Sequence, residues 1–435
     1  MNGNEIIKAE MWDKMQFLFR NYYDRMIHVR FDYKGIIDKE TISASLMYTI
    51  ENIRILHSSF QPSKINAYWK VEPFKLNDFF EYREVDKIDE KEVNKFLSSQ
   101  IPYESNIQLK VLILSTKQES VFLLIMNHMC MDGGGLKELL RIIVDNYNKI
   151  SNKEFDKLQF KVGSRNFEQV YTKFNQEDSK AAKRLFKDRG KLVDDHAFPW
   201  TKDSINDVNR VIRHKITSDK FLKLKEIGKE YSLTVNDLLV LIAIRALYEV
   251  GHYDVNSKVV VACAVDLRKH IKNIEEGRFT NHTAWMMCLV NRKGDTLKDT
   301  LLDILMSLNK NKRDKFLGLY RLPLLKLAYG IFPAVVSEKL ISRGYSNPLL
   351  AISNIGILRE DFYTFNDTKI VDGFMSGAVK YKPFFLLSAT TLLNEMTLST
   401  AIRGNNKDEE IAKNYFSLIE KEIDETIKYF NMQGK

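Results

Sequence analysis

Cysteine is scarce in this chain, paired-cysteine spacing is absent, and no apolar run is long. The three cysteines, Cys130, Cys263 and Cys288, stand far apart, each in or beside an apolar stretch. That pattern argues against a disulfide framework or a CxxC metal or redox site, and predicts buried free thiols in a reducing cytosol. The longest apolar runs, residues 121–126 and 238–244, fall far short of the ~20 residues a spanning helix needs. No transmembrane segment is expected, and the polar first ten residues hold no apolar signal core. Several chemical signatures are missing as well. There is no GxGxxG for a dinucleotide, no GxxxxGK phosphate loop, no HExxH or paired-cysteine metal set, and no GxSxG nucleophile elbow. No metal and no permanently bound cofactor is therefore expected.

What is present is ample core material. The chain has 435 residues, 44% of them apolar, enough for two domains or one large domain with two halves. The formal charge is +9. A basic excess suits acidic partners such as coenzyme A phosphates, membranes or an acidic carrier protein. The lysines are scattered, however, as on an ordinary solvated surface. No recognition helix, RNA-binding aromatic signature or zinc finger points to nucleic acid.

Hydrophobic periodicity predicts strands over 27–33, 68–71, 79–85, 107–114 and 120–127, with helices over 39–59 and 91–98. An amphipathic helix is expected after Gly135, on Leu136, Leu139, Leu140, Ile143 and Tyr147. Residues 151–207 are polar and poor in strand signal, with a helix expected over 166–187. Beyond them, strands are expected over 209–216, 258–265, 351–356, 384–392 and 396–403, the last two as a hairpin around Asn394. Helices are expected over 218–231, 238–248, 296–312, 322–342 and 409–430. Thr234 and Asp237 form a capping-box start for the buried helix that follows. The order divides the chain into a first half at 1–165, a crossover at 166–207 and a second half at 208–435. Irregular alternation predicts α/β layers with mixed sheets rather than a Rossmann sheet or a TIM barrel.

One stretch carries chemistry. An apolar strand ends at His128, and Asp132 and Gly133 to Gly135 follow before a helix begins. An imidazole at a strand tip can act as general base near neutral pH. The glycines allow a ligand close to the backbone, where free N–H groups at a helix start meet negative charge. Plainer readings stand beside this: Asp132 as a helix N-cap, and His128 as a satisfied core histidine. His57, His214 and His282 are read as surface or core residues rather than ligands.

The string from His128 to Gly133 matches the HxxxDG motif, and the chain resembles the coenzyme-A-dependent acyltransferase superfamily. That superfamily includes chloramphenicol acetyltransferase, alcohol O-acetyltransferases, plant acyltransferases and peptide-synthetase condensation domains. Further matches follow in order: Leu233 to Leu239, Val265 to Arg268, and Ser353-Asn354-Ile355-Gly356. The last resembles the alcohol acetyltransferase and polyketide-associated acyltransferase branch. Condensation domains usually carry HHxxxDG, whereas Asn127 stands here, and the plant-type DFGWG is absent. The resemblance implies two chloramphenicol-acetyltransferase-like halves, each a mixed sheet with covering helices, with an active-site tunnel between them. It implies His128 as general base, with Asp132 and Arg268 as a structural ion pair. Gly133, Ser353 and Asn354 become candidate substrate or oxyanion contacts. The implied donor is an acyl-CoA or a carrier-bound phosphopantetheine thioester, and the acceptor an alcohol or amine. A free-standing condensation-type enzyme served by an acyl carrier protein, and a non-catalytic binding module, are the alternatives.

Overall fold

A computed structural model describes residues 5–63, 66–186, 196–331, 336–337, 339 and 349–433. The first half contains β1 (Ile6–Lys8), α1 (Met11–Leu18), β2 (Met26–Lys34), α2 (Lys39–Asn52), β3 (Ser58–Gln61), β4 (Tyr68–Val71), β5 (Phe80–Glu84), α3 (Glu90–Leu97), β6 (Leu109–Ser115), β7 (Glu119–Asn127) and α4 (Gly133–Ser151). A short helix, α5 (Gln176–Ala182), lies in the crossover. Then come β8 (Val208–Ile216), α6 (Ser218–Glu230), α7 (Val235–Val250), β9 (Val259–Asp266), β10 (Thr283–Val290), α8 (Leu297–Lys312) and α9 (Leu322–Ile331). The chain closes with β11 (Leu350–Leu358), β12 (Lys369–Ser376), β13 (Phe385–Leu392), β14 (Glu395–Gly404) and α10 (Asn406–Gln433).

The strands form two large mixed sheets and a small one. The five-stranded sheet has the order β12-β2-β7-β6-β5, and the six-stranded sheet β10-β9-β11-β13-β14-β8. β5 runs parallel to β6, and β11 runs parallel to both β13 and β9. The other pairs in these two sheets are antiparallel.

The motif strand β7 is buried on both faces, which explains its unbroken apolar run. Phe122, Leu124 and Met126 face the core under α2 and α4. Val121, Leu123 and Ile125 face a smaller core with Val93 and Leu97 of α3. In the second half, β13 and β14 make the expected hairpin, with Leu393 and Asn394 both at positive φ, as a two-residue turn requires. The capping box at α7 is present: Thr234 Oγ1 accepts from Asp237 N–H, and Asp237 Oδ2 accepts from Thr234 N–H.

Several expectations are corrected. The helix expected over 39–59 stops at Asn52, and a tight turn leads into β3. The helix expected over 166–187 breaks into a 3-10 turn (Phe167–Tyr171) and α5, while residue 187 lies outside the described residues. Of the helix expected over 322–342, α9 is described to Ile331, and 332–335, 338 and 340–342 lie outside the described residues. Four strands, β1, β3, β10 and β12, and helix α1 had no sequence expectation. β12 also breaks the division at residue 208, because it pairs with β2 in the first half's sheet. Close backbone approach permits this pairing. Gly373 lies opposite Phe31, whose ring would stand 2.3 Å from any added Cβ. Tyr33 also donates to Tyr363 O at 2.7 Å.

Candidate active site

A cavity of about 1170 Å³ lies between the two large sheets, and His128 is in its wall. β7 ends at Asn127, and the next residues turn sharply. Asn127 makes that turn: its Oδ1 accepts from Met129 N–H at 3.1 Å, and its carbonyl accepts from Cys130 N–H at 3.0 Å. Its Nδ2 donates to Gln108 Oε1 at 2.9 Å, on the side of β6. The His128 N–H donates to Arg25 O at 2.7 Å, carrying the pairing with the β2 segment one step past the strand.

The imidazole is held from the other half. Asn281 Nδ2 donates to the carbonyls of His128 (2.9 Å) and Met129 (3.2 Å), which fixes which way its amide faces. Asn281 Oδ1 must then accept from His128 Nδ1, 2.9 Å away. The proton is therefore on Nδ1, and Nε2 keeps its lone pair. Burial pushes the His128 pKa below its ordinary value; the Asp132 carboxylate opposes that shift and the Lys380 ammonium adds to it. The ring is neutral at pH 7.

Asp132 is wholly buried and accepts five contacts. Oδ1 accepts from Gly135 N–H at 2.9 Å and from Arg268 Nη2 at 2.9 Å. Oδ2 accepts from His282 N–H (2.6 Å), Thr283 Oγ1 (3.0 Å) and Arg268 Nη1 (3.1 Å). It is thus both the N-cap of α4 and one side of an ion pair between the halves. Burial alone would raise its pKa, but the Arg268 charge and the donors hold it well below the usual carboxylate range. Arg268 also donates to the carbonyls of Gly277 (3.0 Å) and Thr280 (2.9 Å). The glycines fit around this pair. A Cβ on Gly134 would meet Arg268 Nη1 at 2.7 Å, and one on Gly135 would meet Arg278 O at 2.7 Å. Gly133 has open space beside it and lines the cavity.

Ser353 also lines the cavity, on β11. Asn354 does not. The neighbouring strand position faces the other way, so Asn354 is exposed, and its Oδ1 accepts from Gly356 N–H at 3.0 Å across a bulge. It is removed from the candidate contacts. His282 is a core residue with both ring nitrogens buried and unpartnered among the described residues, and burial pushes its pKa down to about 4. His57 is buried against Glu72 O, and His214 is half-buried beside Glu420.

Sequence reasoning passed over Asn281, Thr283 and Arg165. Arg165 donates to the carbonyls of Cys130 and Phe279 and pairs at 2.6 Å with Asp13, which also accepts from Trp69 Nε1 at 2.9 Å. The available signal for Asn281 was the polar string Thr280 to Thr283 ahead of an alternating apolar strand. Among the described residues, no cluster of His, Cys, Asp and Glu could hold a metal ion, and no helix is long and apolar enough to cross a membrane.

No protein-family model and no curated protein matches the chain by sequence. Solved structures match in three dimensions. Polyketide synthase associated protein 5 from Mycobacterium tuberculosis matches with TM-score 0.67 and 14% identity, over 96% of this chain and 98% of that one. The TRI3 trichothecene 15-O-acetyltransferase from Fusarium sporotrichioides matches with TM-score 0.68 and 11% identity, over 96% and 94%. The first condensation domain of the CDA synthetase matches with TM-score 0.67 and 11% identity, over 97% of both chains. The chain therefore has the fold shared by acyltransferases and condensation domains.

Proposed function

We propose that this protein is an acyltransferase that moves an acyl group from a thioester donor, acyl-CoA in the first place, to an alcohol or amine. The observation that carries this reading is the His128–Asn281 contact. It leaves a neutral imidazole with a basic Nε2 in the wall of a cavity built by both halves. Such a base suits a hydroxyl or amine that must lose a proton as it attacks a carbonyl. Nε2 takes the acceptor proton as the new bond to the thioester carbonyl forms. The tetrahedral intermediate then collapses, the C–S bond breaks, and the imidazolium returns the proton to the departing sulfur. Negative charge on the carbonyl oxygen would meet the first N–H groups of α4, at Gly133, and the Ser353 hydroxyl. The Asp132–Arg268 pair does not enter the chemistry in this reading, because all its hydrogen-bonding capacity faces protein. The three cysteines are buried free thiols, which suits a reducing compartment, and we place the protein in the cytosol. A carrier-bound phosphopantetheine thioester is the second donor to test, since one matched fold is a synthetase condensation domain.

The test is release of free thiol from a panel of acyl-CoA and acyl-carrier donors with alcohol and amine acceptors. His128→Ala should lose roughly 10²–10⁴-fold in rate while keeping the parent's melting temperature. Undiminished turnover in a folded His128→Ala overturns the mechanism, and transfer from no donor favours the binding-module reading.

A further inference from the structure

Lys380 is a cation that the proposed mechanism leaves unused. It sits in the connection between β12 and β13, where its backbone bridges Tyr23 on one side and Ile402 of β14 on the other. Its side chain lines the cavity, as do Gln16, Phe19, Tyr23 and Phe384. Nζ stands 3.9 Å from the centre of the Tyr23 ring. Among the described residues, no carboxylate pairs with Lys380 Nζ and no oxygen accepts from it. Asp24, the acid whose charge it feels, is already engaged. Asp24 Oδ1 accepts from Met26 N–H and Val379 N–H, both at 3.0 Å, and Oδ2 faces Gln100 and Asn209. Burial pushes the Lys380 pKa down to about 8. A ring face offsets only part of the cost of taking an ammonium out of water. An anion arriving from the cavity would offset the rest.

The position suits one bound molecule. In the β2 entry segment, only Asp24 separates Tyr23, the partner of Lys380, from Arg25, whose carbonyl accepts the His128 N–H. The cavity also runs along the six-stranded sheet. Trp285 and Met287 of β10 line it, as do Phe385 and Leu386 of β13, three strand spacings away, roughly 14 Å. Its walls between are largely apolar.

We propose that the cavity binds an amphipathic substrate carrying a carboxylate, and that Lys380 Nζ holds that carboxylate. This deepens the acyl-transfer reading, and rests on it only in calling the ligand a substrate. The groups facing the Lys380 ammonium are the Tyr23 ring and the Asp24 carboxylate before β2 and the His128 imidazole after β7. Burial pushes Asp24 up to about 6, and His128 titrates below its ordinary value. Both have changed charge before pH 7.

The experiment is calorimetric binding of octanoate and its neutral isostere octanamide to the whole protein. Octanoate should bind more tightly than octanamide, and Lys380→Met should weaken octanoate roughly 10- to 100-fold while leaving octanamide unchanged. Octanoate affinity should fall from pH 7 to pH 10 in the parent and stay level in Lys380→Met. Lys380→Met should melt at or above the parent, because an apolar side chain replaces a half-buried ammonium that no carboxylate pairs with among the described residues. Equal octanoate binding by parent and Lys380→Met overturns the proposal, as does octanamide binding as well as octanoate. Binding is read without turnover, so a failed transfer assay does not decide this result, nor the reverse.

Discussion

At the scale of single residues, the proposed acyl transfer turns on the tautomer of one imidazole. The Asn281 amide gives His128 a proton on Nδ1 and leaves Nε2 basic. Two outcomes follow from that. If His128 is the base, protonation that silences it sets in only below the ordinary value near 6.5, because burial lowers its pKa. The transfer rate should be flat from pH 7 to 8 and fall tenfold per unit at acid pH, below an apparent pKa under 6.5. A rate that keeps falling from pH 8 to 6.5 would place the titrating group elsewhere. Asn281→Ala removes the Nδ1 acceptor without touching the base. Turnover should drop by less than the roughly 10²–10⁴-fold of His128→Ala, with donor KM unchanged. Full activity in Asn281→Ala would mean that the amide sets nothing. His128 was legible in the sequence because an apolar run ends on it. Asn281 was not, because it touches His128 only after two segments far apart in the chain meet.

At the scale of elements, the turn between β7 and α4 is clamped from two directions. Arg268 grips Asp132 from the second half, and Arg165 grips the carbonyls of Cys130 and Phe279 while paired to Asp13. Removing Asp132 leaves Arg268 buried without its main counter-charge and α4 without its cap. Asp132→Ala should lose about 3–5 kcal/mol of stability, read by urea denaturation, with activity following the folded fraction. An unchanged midpoint with lost turnover would move Asp132 into the chemistry. Arg165→Met should speed amide hydrogen exchange at residues 129–131 and leave β13 and β14 unaffected; unchanged exchange would dismiss the clamp. The cap on α4 could be read from Asp132 itself. Its second role came through a guanidinium 136 residues away.

At the scale of the whole molecule, buried histidines tie stability to pH on the acid side. His28 and His282 both have pKa values pushed down to about 4 by burial. Each binds a proton more readily unfolded, near 6.5, than folded. Their contribution is therefore complete above pH 6.5 and drains away as pH falls toward 4, on the order of 3 kcal/mol apiece. Asp24, raised to about 6, works in the opposite direction and offsets one of the two. Urea midpoints should fall from pH 6.5 to 4, and His28→Gln should flatten that slope; an equal slope in the variant would remove His28 from the account. The sequence by itself determined the two-half α/β layering, most of the elements, and the strand tip bearing His128. Periodicity, caps and turn residues are local, and they act on the chain wherever it goes. The tertiary structure alone decided that β12 crosses into the first half's sheet, that Asn354 faces away while Ser353 faces the cavity, that Asn281 and Arg165 hold the turn after β7, and that Lys380 lines the same cavity as His128. Each of those depends on backbone approach or on contact between distant segments, and such contacts leave no periodic trace in the chain.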